Sequence, residues 1–276
     1  MSAINKIKTL FFYFKPRKIV AQYKLFFGDE WLEVSVDSIA PYMYKILLVV
    51  SDIPWGKNNN IIGDNLEPVI KKIKNKYGKK ILIINGSWDK QIDHVKEGLE
   101  YIKKNIPEAS HCLYVDSDEI YKKETIEKIV KICRSFKSFN SAIKINYNTY
   151  FKTIYYKISP IKYPTALVLF PIRKWITYRD ARNVNAKIEY HYNLFYEHPA
   201  YVRISDEKMK MKIEAHRETE PIIGDWFNTV WMKWSPDTRN FHPTIPDMWE
   251  SVVPVDESEL PQHMVSVYLQ WNKNNI

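Results

Sequence analysis

The chain has 276 residues, which is enough for one large domain with a buried core or for two small ones. Hydrophobic residues make up 45% of the sequence and charged residues 26%, a balance that excludes a disordered polypeptide. The formal net charge of +9 favours a polyanionic partner such as nucleic acid, anionic lipid or a phosphorylated substrate. A lysine-rich, solvated surface explains the same charge equally well.

Much of the positive charge lies near the N-terminus, in a basic arm of residues 1–18, and no acidic residue precedes Asp29. The apolar run within this arm, residues 10–14, is too short for a signal-peptide core or a membrane span. The phenylalanines of this run could instead contact a membrane surface peripherally. The only cysteines, Cys112 and Cys133, lack zinc-site spacing and form no disulfide framework. We therefore expect a reducing compartment, namely the cytoplasm, or the host cytoplasm for a viral protein.

Residues 19–138 alternate between strand and helix patterns. Strands are predicted at residues 19–27, 45–51, 81–84 and 112–115. The first helix is predicted to begin with Asp29 as its N-cap and to end near Pro41. Further helices follow from apolar stripes at helical spacing within residues 66–77, 95–102 and 126–133. This alternation predicts an α/β fold, with a Rossmann-type, mostly parallel sheet flanked by helices.

The pattern changes after residue 140. Strands are predicted at 142–151 and 166–170 and a helix at 206–216, but residues beyond about 190 are rich in His, Trp and Pro. We therefore expect an irregular C-terminal lobe. No linker separates two domains, so we divide the chain into the basic arm, a main domain of residues 19–216, and an aromatic-rich extension of residues 217–276 packed on that domain.

Polar residues follow three of the predicted strands, at Asp52, at residues 85–88 and at residues 116–119. Ligands of parallel α/β sheets bind outside the carboxyl ends of the strands. The three segments are therefore predicted to meet at one rim of the sheet.

The segment Asp116-Ser117-Asp118-Glu119 carries two carboxylates spaced i and i+2 directly after a buried strand. Hard cations such as Mn²⁺ or Mg²⁺ prefer oxygen ligands and keep phosphate oxygens in their shell. A metal at this turn would stabilise a diphosphate as a leaving group. The pattern predicts a site for a divalent metal and a nucleotide diphosphate, with Glu119 starting the next helix. The alternative is an acidic turn that only caps that helix.

The chain resembles the GT-A glycosyltransferases, in particular bacterial and phage enzymes similar to glycosyltransferase family 2, over roughly residues 19–216. The segments that carry the resemblance are Gly-Asp-Glu-Trp-Leu-Glu at 28–33 with Ser-Ile at 38–39, residues 46–52, Gln91, Leu-Tyr-Val-Asp-Ser-Asp-Glu at 113–119, and Tyr-Glu-His-Pro-Ala-Tyr-Val-Arg at 196–203. The resemblance implies a GT-A-like, nucleotide-sugar-binding catalytic domain. The chain departs from the family pattern at residues 52–56, where Asp-Ile-Pro-Trp-Gly replaces an Asp-Gly-Ser-x-Asp turn.

The resemblance also implies roles for single residues. Asp118 would be the main metal ligand, Asp116 would bind the ribose or reach the metal through water, and His198 would complete the site for Mn²⁺ or Mg²⁺. Asp52 would read the base. The other residues expected near the nucleotide sugar are Phe27, Gln91, Ser117 and Arg203.

An inverting transferase needs a general base for the acceptor hydroxyl. Asp180, Glu197, Glu214 and Asp225 are available, and nothing in the sequence selects among them. We take Asp180 and Glu197, together with Asp118, as the catalytic candidates. The aromatic C-terminal segment, with Trp226, Trp231, Trp234 and Trp249, suits either an acceptor site or the core of a small lobe.

The function predicted from the sequence is that of a metal-dependent hexosyl- or pentosyltransferase. It would use a UDP- or GDP-linked sugar and an acceptor that is a glycan, a lipid-linked glycan, a protein or modified DNA. A nucleotidyltransferase on a similar sheet is one alternative, and a basic, non-enzymatic nucleic-acid-binding protein is another. The sequence has no Walker-type loop, G-x-G-x-x-G run or nucleophile elbow, which disfavours P-loop ATPases, NAD enzymes and serine hydrolases.

Overall fold

The computed structural model describes residues 17–56, 61–135, 137–162, 164–217 and 221–274. Nearly all of the basic arm lies outside these residues, so its expected contacts with nucleic acid or membrane stay predictions. Within the described ranges, no helix is both long and apolar enough to cross a membrane.

One half of the central sheet is parallel. Its strands, in the spatial order β3-β2-β1-β4, are β1 (Ile19–Leu25), β2 (Lys45–Ser51), β3 (Ile81–Gly86) and β4 (His111–Val115). In β2, Ile46 and Leu48 pack into the core on one face of the sheet, and Leu47 and Val49 pack into the core on the other. Burying each such side chain stabilises the fold by about 1.5–3 kcal/mol. A strand that is apolar on both faces needs a helical layer on each side.

Helices supply both layers. The described α-helices are α1 (Leu32–Ile39), α2 (Glu67–Tyr77), α3 (Gln91–Asn105), α4 (Lys123–Cys133), α5 (Asp206–Arg217) and α6 (Gln262–Asn274). Val36 of α1, Ile73 of α2 and Ile129 of α4 pack on one face of the sheet. Val95 and Leu99 of α3 pack on the other. The predicted α/β fold with flanking helices is confirmed.

The other half of the sheet is mixed. Its strands are β5 (Ser141–Phe151), β6 (Thr153–Ile158), β7 (Thr165–Pro171), β10 (Lys187–Tyr201) and β11 (Val252–Pro254), while β8 (Tyr178–Asp180) and β9 (Asn183–Val184) form a separate hairpin. β7 runs antiparallel to both β4 and β5 and so joins the two halves. β10 pairs with β5 in parallel, which keeps most of the paired residues of the sheet in parallel ladders.

Strand β10 is the main departure from the predicted elements. The sequence predicts irregular structure beyond about residue 190, yet β10 continues to Tyr201. Its pairing with β5 shifts register between His191 and Phe195, so its side chains do not keep a simple two-residue alternation. Tyr190 and Tyr192 are both exposed, which further obscures the strand pattern.

The predicted N-cap of the first helix is wrong. α1 begins after Trp31, and no side chain caps it. Asp29 instead accepts a hydrogen bond from Lys208 Nζ at 2.5 Å. Trp31 is fully buried and donates its indole N–H to the carbonyl of Val202 at 2.9 Å. Contacts with the end of β10 and with α5, rather than a local cap, therefore fix the start of α1.

The aromatic C-terminal segment packs against the end of β5. Trp226, Trp231 and Trp249 are buried in a cluster around Phe151, with ring centroids 6.1, 5.2 and 6.1 Å from its ring. The core interpretation is therefore confirmed for Trp226 and Trp231. β11 pairs with β6, so the sheet itself includes residues beyond 217.

Candidate active site

The turn of residues 116–119 directly follows β4, and the loop after β1 lies against it. Gly28 in that loop has a φ of +114°, and a Cβ there would lie 1.9 Å from Ser117 Oγ. Only glycine accepts both the backbone conformation and the close approach. Ser117 Oγ donates to the carbonyl of Phe27 at 3.3 Å, and Ser35 Oγ donates to the last carbonyl of the turn at 2.6 Å. The turn is therefore held from two sides.

Asp116 is buried and lies between two cations. Lys24 Nζ, near the end of β1, donates to Oδ1 at 2.5 Å, and Arg182, from the turn between β8 and β9, donates to Oδ2. Burial alone would raise the pKa of Asp116, but Arg182 and Lys24 hold it below its usual value. Asp116 is therefore a carboxylate at neutral pH.

Asp118 is held by a second set of basic side chains. Arg203 Nη2 and Lys212 Nζ lie 2.9 and 3.3 Å from Oδ2, and His198 Nε2 lies 3.5 Å from Oδ1. Burial alone would raise the pKa of Asp118, but Lys212, His198 and Arg203 hold it well below its usual range. Arg203 is in turn fixed by Glu30, whose Oε2 accepts from Nη1 at 2.9 Å.

Glu119 differs from the two aspartates of the turn. It is fully buried, and its Oε1 lies 3.2 Å from Arg182 Nη1. Burial, and then the charge of Asp116, raise the pKa of Glu119 to about 8. The prediction that Glu119 starts the next helix is wrong, because α4 begins only at Lys123.

A cavity of about 340 Å³ opens beside this turn, and we call it the β1–β4 cavity. Its basic lining residues are Lys24, Arg182, Arg203 and Lys212, and its acidic ones are Asp116 and Asp118. Aromatic and imidazole side chains line it as well, namely Phe26, Phe27, Trp55, Tyr147, Tyr201, Trp249, His198, His216 and His242. The cavity thus combines a concentrated positive charge with flat apolar faces.

A second cavity of about 440 Å³ lies at the ends of β2 and β3, and we call it the β2–β3 cavity. Val50, Ile70 and Ile83 supply apolar lining. The polar residues that line it are Ser51, Asp52, Asp64, Asn65, Glu67 and Asn85. Phe26 lines both cavities, so the two cavities are neighbours on either side of this side chain.

The structure brings most of the predicted site residues to these two cavities. The β1–β4 cavity includes Phe27, Gln91, Asp116, Ser117, Asp118, His198 and Arg203. Asp52 lines the β2–β3 cavity, where its Oδ1 accepts from Ser87 Oγ at 2.5 Å. The predicted rim at the carboxyl ends of the strands is therefore present. The roles assigned to the single residues stay predictions.

None of the four general-base candidates lines the β1–β4 cavity. Asp180 is exposed and accepts from the backbone N–H of Arg182 at 2.7 Å within the β8–β9 hairpin. Glu197 is fully buried and accepts from Tyr150 Oη at 2.7 Å and from Asn148 Nδ2 at 3.0 Å. Asp180 therefore stabilises a turn, and Glu197 stabilises the junction of β5 and β10. Neither residue lines the β1–β4 cavity.

Three cations of the site, Lys24, Arg182 and Lys212, are absent from the predicted site residues. Lys24 had a usable signal, because it lies near the end of a predicted strand beside the other strand-end residues. Lys212 had one too, since Lys208, Lys212 and His216 recur at four-residue spacing and form one face of α5. Arg182 had none, because only the β8–β9 hairpin brings it to Asp116.

The three predicted metal ligands, Asp116, Asp118 and His198, all line the β1–β4 cavity, but the two aspartates already contact cations. Asp116 contacts Lys24 and Arg182, while Asp118 contacts Arg203 and Lys212. Across the described part of the chain, no three or more His, Cys, Asp or Glu side chains are grouped so as to hold a metal ion. The donor set as arranged does not fit a divalent ion held by protein ligands, and the expected Mn²⁺ or Mg²⁺ stays a prediction.

No protein-family model and no curated protein matches the chain. Among solved structures, residues 1–349 of S. aureus TarS are similar over 73% of this chain and 65% of that chain, at 11% identity and a TM-score of 0.43. A 4-diphosphocytidyl-2C-methyl-D-erythritol synthase from Anaerococcus prevotii is similar over 75% of this chain and 98% of that one, at 16% identity and a TM-score of 0.42. Another protein of the latter name reaches 12% identity over 56% of this chain and 74% of that one, with a TM-score of 0.36. At TM-scores below 0.5, these overlaps indicate neither an activity nor a substrate for this chain.

Proposed function

We propose that this protein is a glycosyltransferase that moves a sugar from a nucleotide-diphosphate sugar to an acceptor hydroxyl. The observation that carries the proposal is the β1–β4 cavity, where four cations surround Asp116 and Asp118 at the carboxyl ends of two parallel strands. Cations in a partly dehydrated cavity stabilise charge that develops on a leaving diphosphate. The flat faces of Tyr147, Tyr201 and Trp249 in the same cavity suit a sugar ring.

In the proposed reaction the bond between the anomeric carbon and the diphosphate oxygen breaks, and its electron pair stays on that oxygen. The acceptor oxygen bonds to the anomeric carbon and releases its proton to a base or to water. Lys212 and Arg182 donate hydrogen bonds to the leaving diphosphate, while Asp116 and Asp118 hold these cations in position. The donor's base would lie in the β2–β3 cavity, within reach of Asp52.

One contact disfavours the nucleotidyltransferase alternative. Such an enzyme would cradle phosphates with the backbone N–H groups of the loop after β1. The N–H of Gly28 in this loop instead donates to Asp64 Oδ2 at 2.6 Å, and that of Asp29 points to the same oxygen at 3.4 Å. A carboxylate at these donors repels phosphate, so the loop is poorly suited to that chemistry.

The burial of the cavity's cations argues against this cavity as a nucleic-acid-binding surface. The exposed side-chain fractions of Lys24 and Arg203 are 6% and 4%. Proteins that track a nucleic-acid backbone present exposed Lys and Arg along a surface. The cations of the described cavity are instead placed to meet a small anion that enters it.

The test is a melting-temperature screen with UDP, GDP, CDP, ADP and dTDP, followed by an assay of nucleoside diphosphate release from the matching sugar nucleotides. We expect one or two nucleotides to raise the melting temperature by about 2–5 °C at saturation. Asp118→Asn should weaken that response, because it removes the charge that positions Arg203 and Lys212. The matched control is Asp93→Asn, an exposed position on α3 outside both cavities. A chain that responds to none of the five nucleotides is not the proposed transferase.

A further inference from the structure

Both aspartates of the turn have a basic partner at each oxygen. Lys24 lies on Oδ1 of Asp116 and Arg182 on its Oδ2. For Asp118, His198 lies near Oδ1, while Arg203 and Lys212 share Oδ2. A divalent ion ligated by both carboxylates would have to displace Lys24 or Arg182 from Asp116. It would also have to displace His198, Arg203 or Lys212 from Asp118.

Replacement of these cations is unfavourable because most of them are buried. The exposed side-chain fractions of Lys24, Arg203 and Lys212 are 6%, 4% and 13%. A buried cation that loses its carboxylate partner keeps its desolvation penalty without the compensating attraction. The divalent ion would add repulsion from the remaining positive charges. The carboxylates are therefore placed to hold cations in the cavity and not to ligate a metal.

The cations keep unused hydrogen-bond donors. Lys212 Nζ has three donors and uses two of them, on Asp118 and on the carbonyl of Ala200 at 2.8 Å. The Arg182 side chain is 39% exposed, and its guanidinium carries five donors. The Nε–H of Arg203 is buried and has no acceptor among the described residues. An anionic ligand would supply acceptors for these donors.

The charge of the cavity fits such a ligand. Four cations and two carboxylates line it, and Glu30, which pairs with Arg203, brings the carboxylates to three. The site therefore keeps a positive excess that attracts a diphosphate, and a metal ion would add to that excess.

We infer that the diphosphate of the donor is bound and neutralised by Lys24, Arg182, Arg203 and Lys212, and that donor binding requires no divalent cation. This inference rests on the proposed function and specifies how its leaving group is stabilised. Charge-assisted hydrogen bonds from Lys and Arg to phosphate are among the strongest in proteins, so they can take the place of a metal ion here. The sequence-based expectation of Mn²⁺ or Mg²⁺ is the rival account.

The experiment measures binding of UDP, GDP, CDP, ADP and dTDP by calorimetry to the full chain, once in EDTA and once in Mn²⁺ or Mg²⁺. We expect the best nucleotide to bind in EDTA with an affinity within about three-fold of that in metal. Lys212→Met should weaken binding about 10- to 100-fold in both buffers, the loss expected for one charged hydrogen bond. Lys210→Met, an exposed position on the same helix, should bind like the wild type in both.

Each result supports or overturns a stated claim. Binding that appears only with Mn²⁺ or Mg²⁺ overturns the metal-free inference and leaves the proposed transferase standing. Absence of binding in both buffers overturns the transferase and the inference with it. If Lys212→Met does not fold, Arg182→Gln gives the same test from the partly exposed hairpin, and wild-type affinity in that variant overturns the role of the cations.

Discussion

The two cavities at the carboxyl ends of the strands differ sharply in charge. Among the described residues, the β2–β3 cavity is lined by the acids Asp52, Asp64 and Glu67 and by no Lys or Arg, whereas the β1–β4 cavity has four cations. An acidic cavity repels phosphate but accepts hydrogen bonds from a base, and a basic cavity does the reverse. This difference would orient a nucleotide sugar with its base in the β2–β3 cavity and its diphosphate in the β1–β4 cavity.

A substitution at Gly28 should disturb the turn of residues 116–119 more than any other change considered. Gly28→Ala places a Cβ within 1.9 Å of Ser117 Oγ and forces a positive φ on alanine. Because backbone strain costs about 1–3 kcal/mol and the clash must shift the turn, we expect a stability loss of about 2–4 kcal/mol and loss of nucleotide binding. Chemical denaturation and calorimetry check both. Gly78→Ala, also at a positive φ but with nothing within 4 Å of its Cβ, is the matched control and should bind normally.

The parallel half of the sheet and the strands β5 and β7 of the mixed half are predictable from the sequence, whereas β10 is not. Strand β2 is bounded correctly by the sequence because its apolar run is buried on both faces. The same local signals place Asp52 and Asp116 at the rim. β10 carries exposed tyrosines and a register shift, so its pattern is not that of a half-buried strand.

The site residues also divide into those that the sequence predicts and those that it does not. Asp118 comes from a predicted strand end, but its partners Arg203 and Lys212 come from the end of β10 and from α5. Arg182 reaches Asp116 from the β8–β9 hairpin, which no local sequence pattern predicts. The carboxylates were therefore foreseeable as a site. Their cation partners were not, because they depend on contacts between segments distant in sequence.

The positive charge of the β1–β4 cavity should depend on pH through Lys212. Burial, and then Arg203, lower the pKa of Lys212 to about 8. The ammonium that donates to phosphate is therefore present below pH 8 and lost above it, so nucleotide affinity should fall by about ten-fold between pH 7 and pH 9. Calorimetry over this range measures the fall. The charged or titratable groups around this lysine include Asp118, Arg203, Glu30 and His216. The pKa of Asp118 lies well below its usual value, that of Arg203 lies above its usual value, and that of His216 is lowered to about 3.

The control for the pH effect is Lys212→Met. Glu119, whose pKa burial raises to about 8, loses its proton over the same range and adds a negative charge beside Arg182. The Lys212→Met variant keeps that contribution and removes only the one from the lysine. Its affinity should be weak at pH 7 and fall less steeply towards pH 9. An equally steep fall in the variant assigns the pH dependence to Glu119 instead.

The smallest expected effect concerns the β2–β3 cavity alone. Asp52 is exposed, and its Oδ1 accepts from Ser87 Oγ, so Asp52→Asn should leave the fold unchanged. If the carboxylate accepts a hydrogen bond from the base, its loss weakens the preferred nucleotide by about five-fold, the net value of one hydrogen bond. Inorganic pyrophosphate, which has no base, should bind the variant and the wild type alike. Competition binding with pyrophosphate and the five nucleoside diphosphates measures both quantities. A variant that loses pyrophosphate binding in step with nucleotide binding would place the phosphates, and not the base, beside Asp52, and would reverse the orientation inferred from the two cavities.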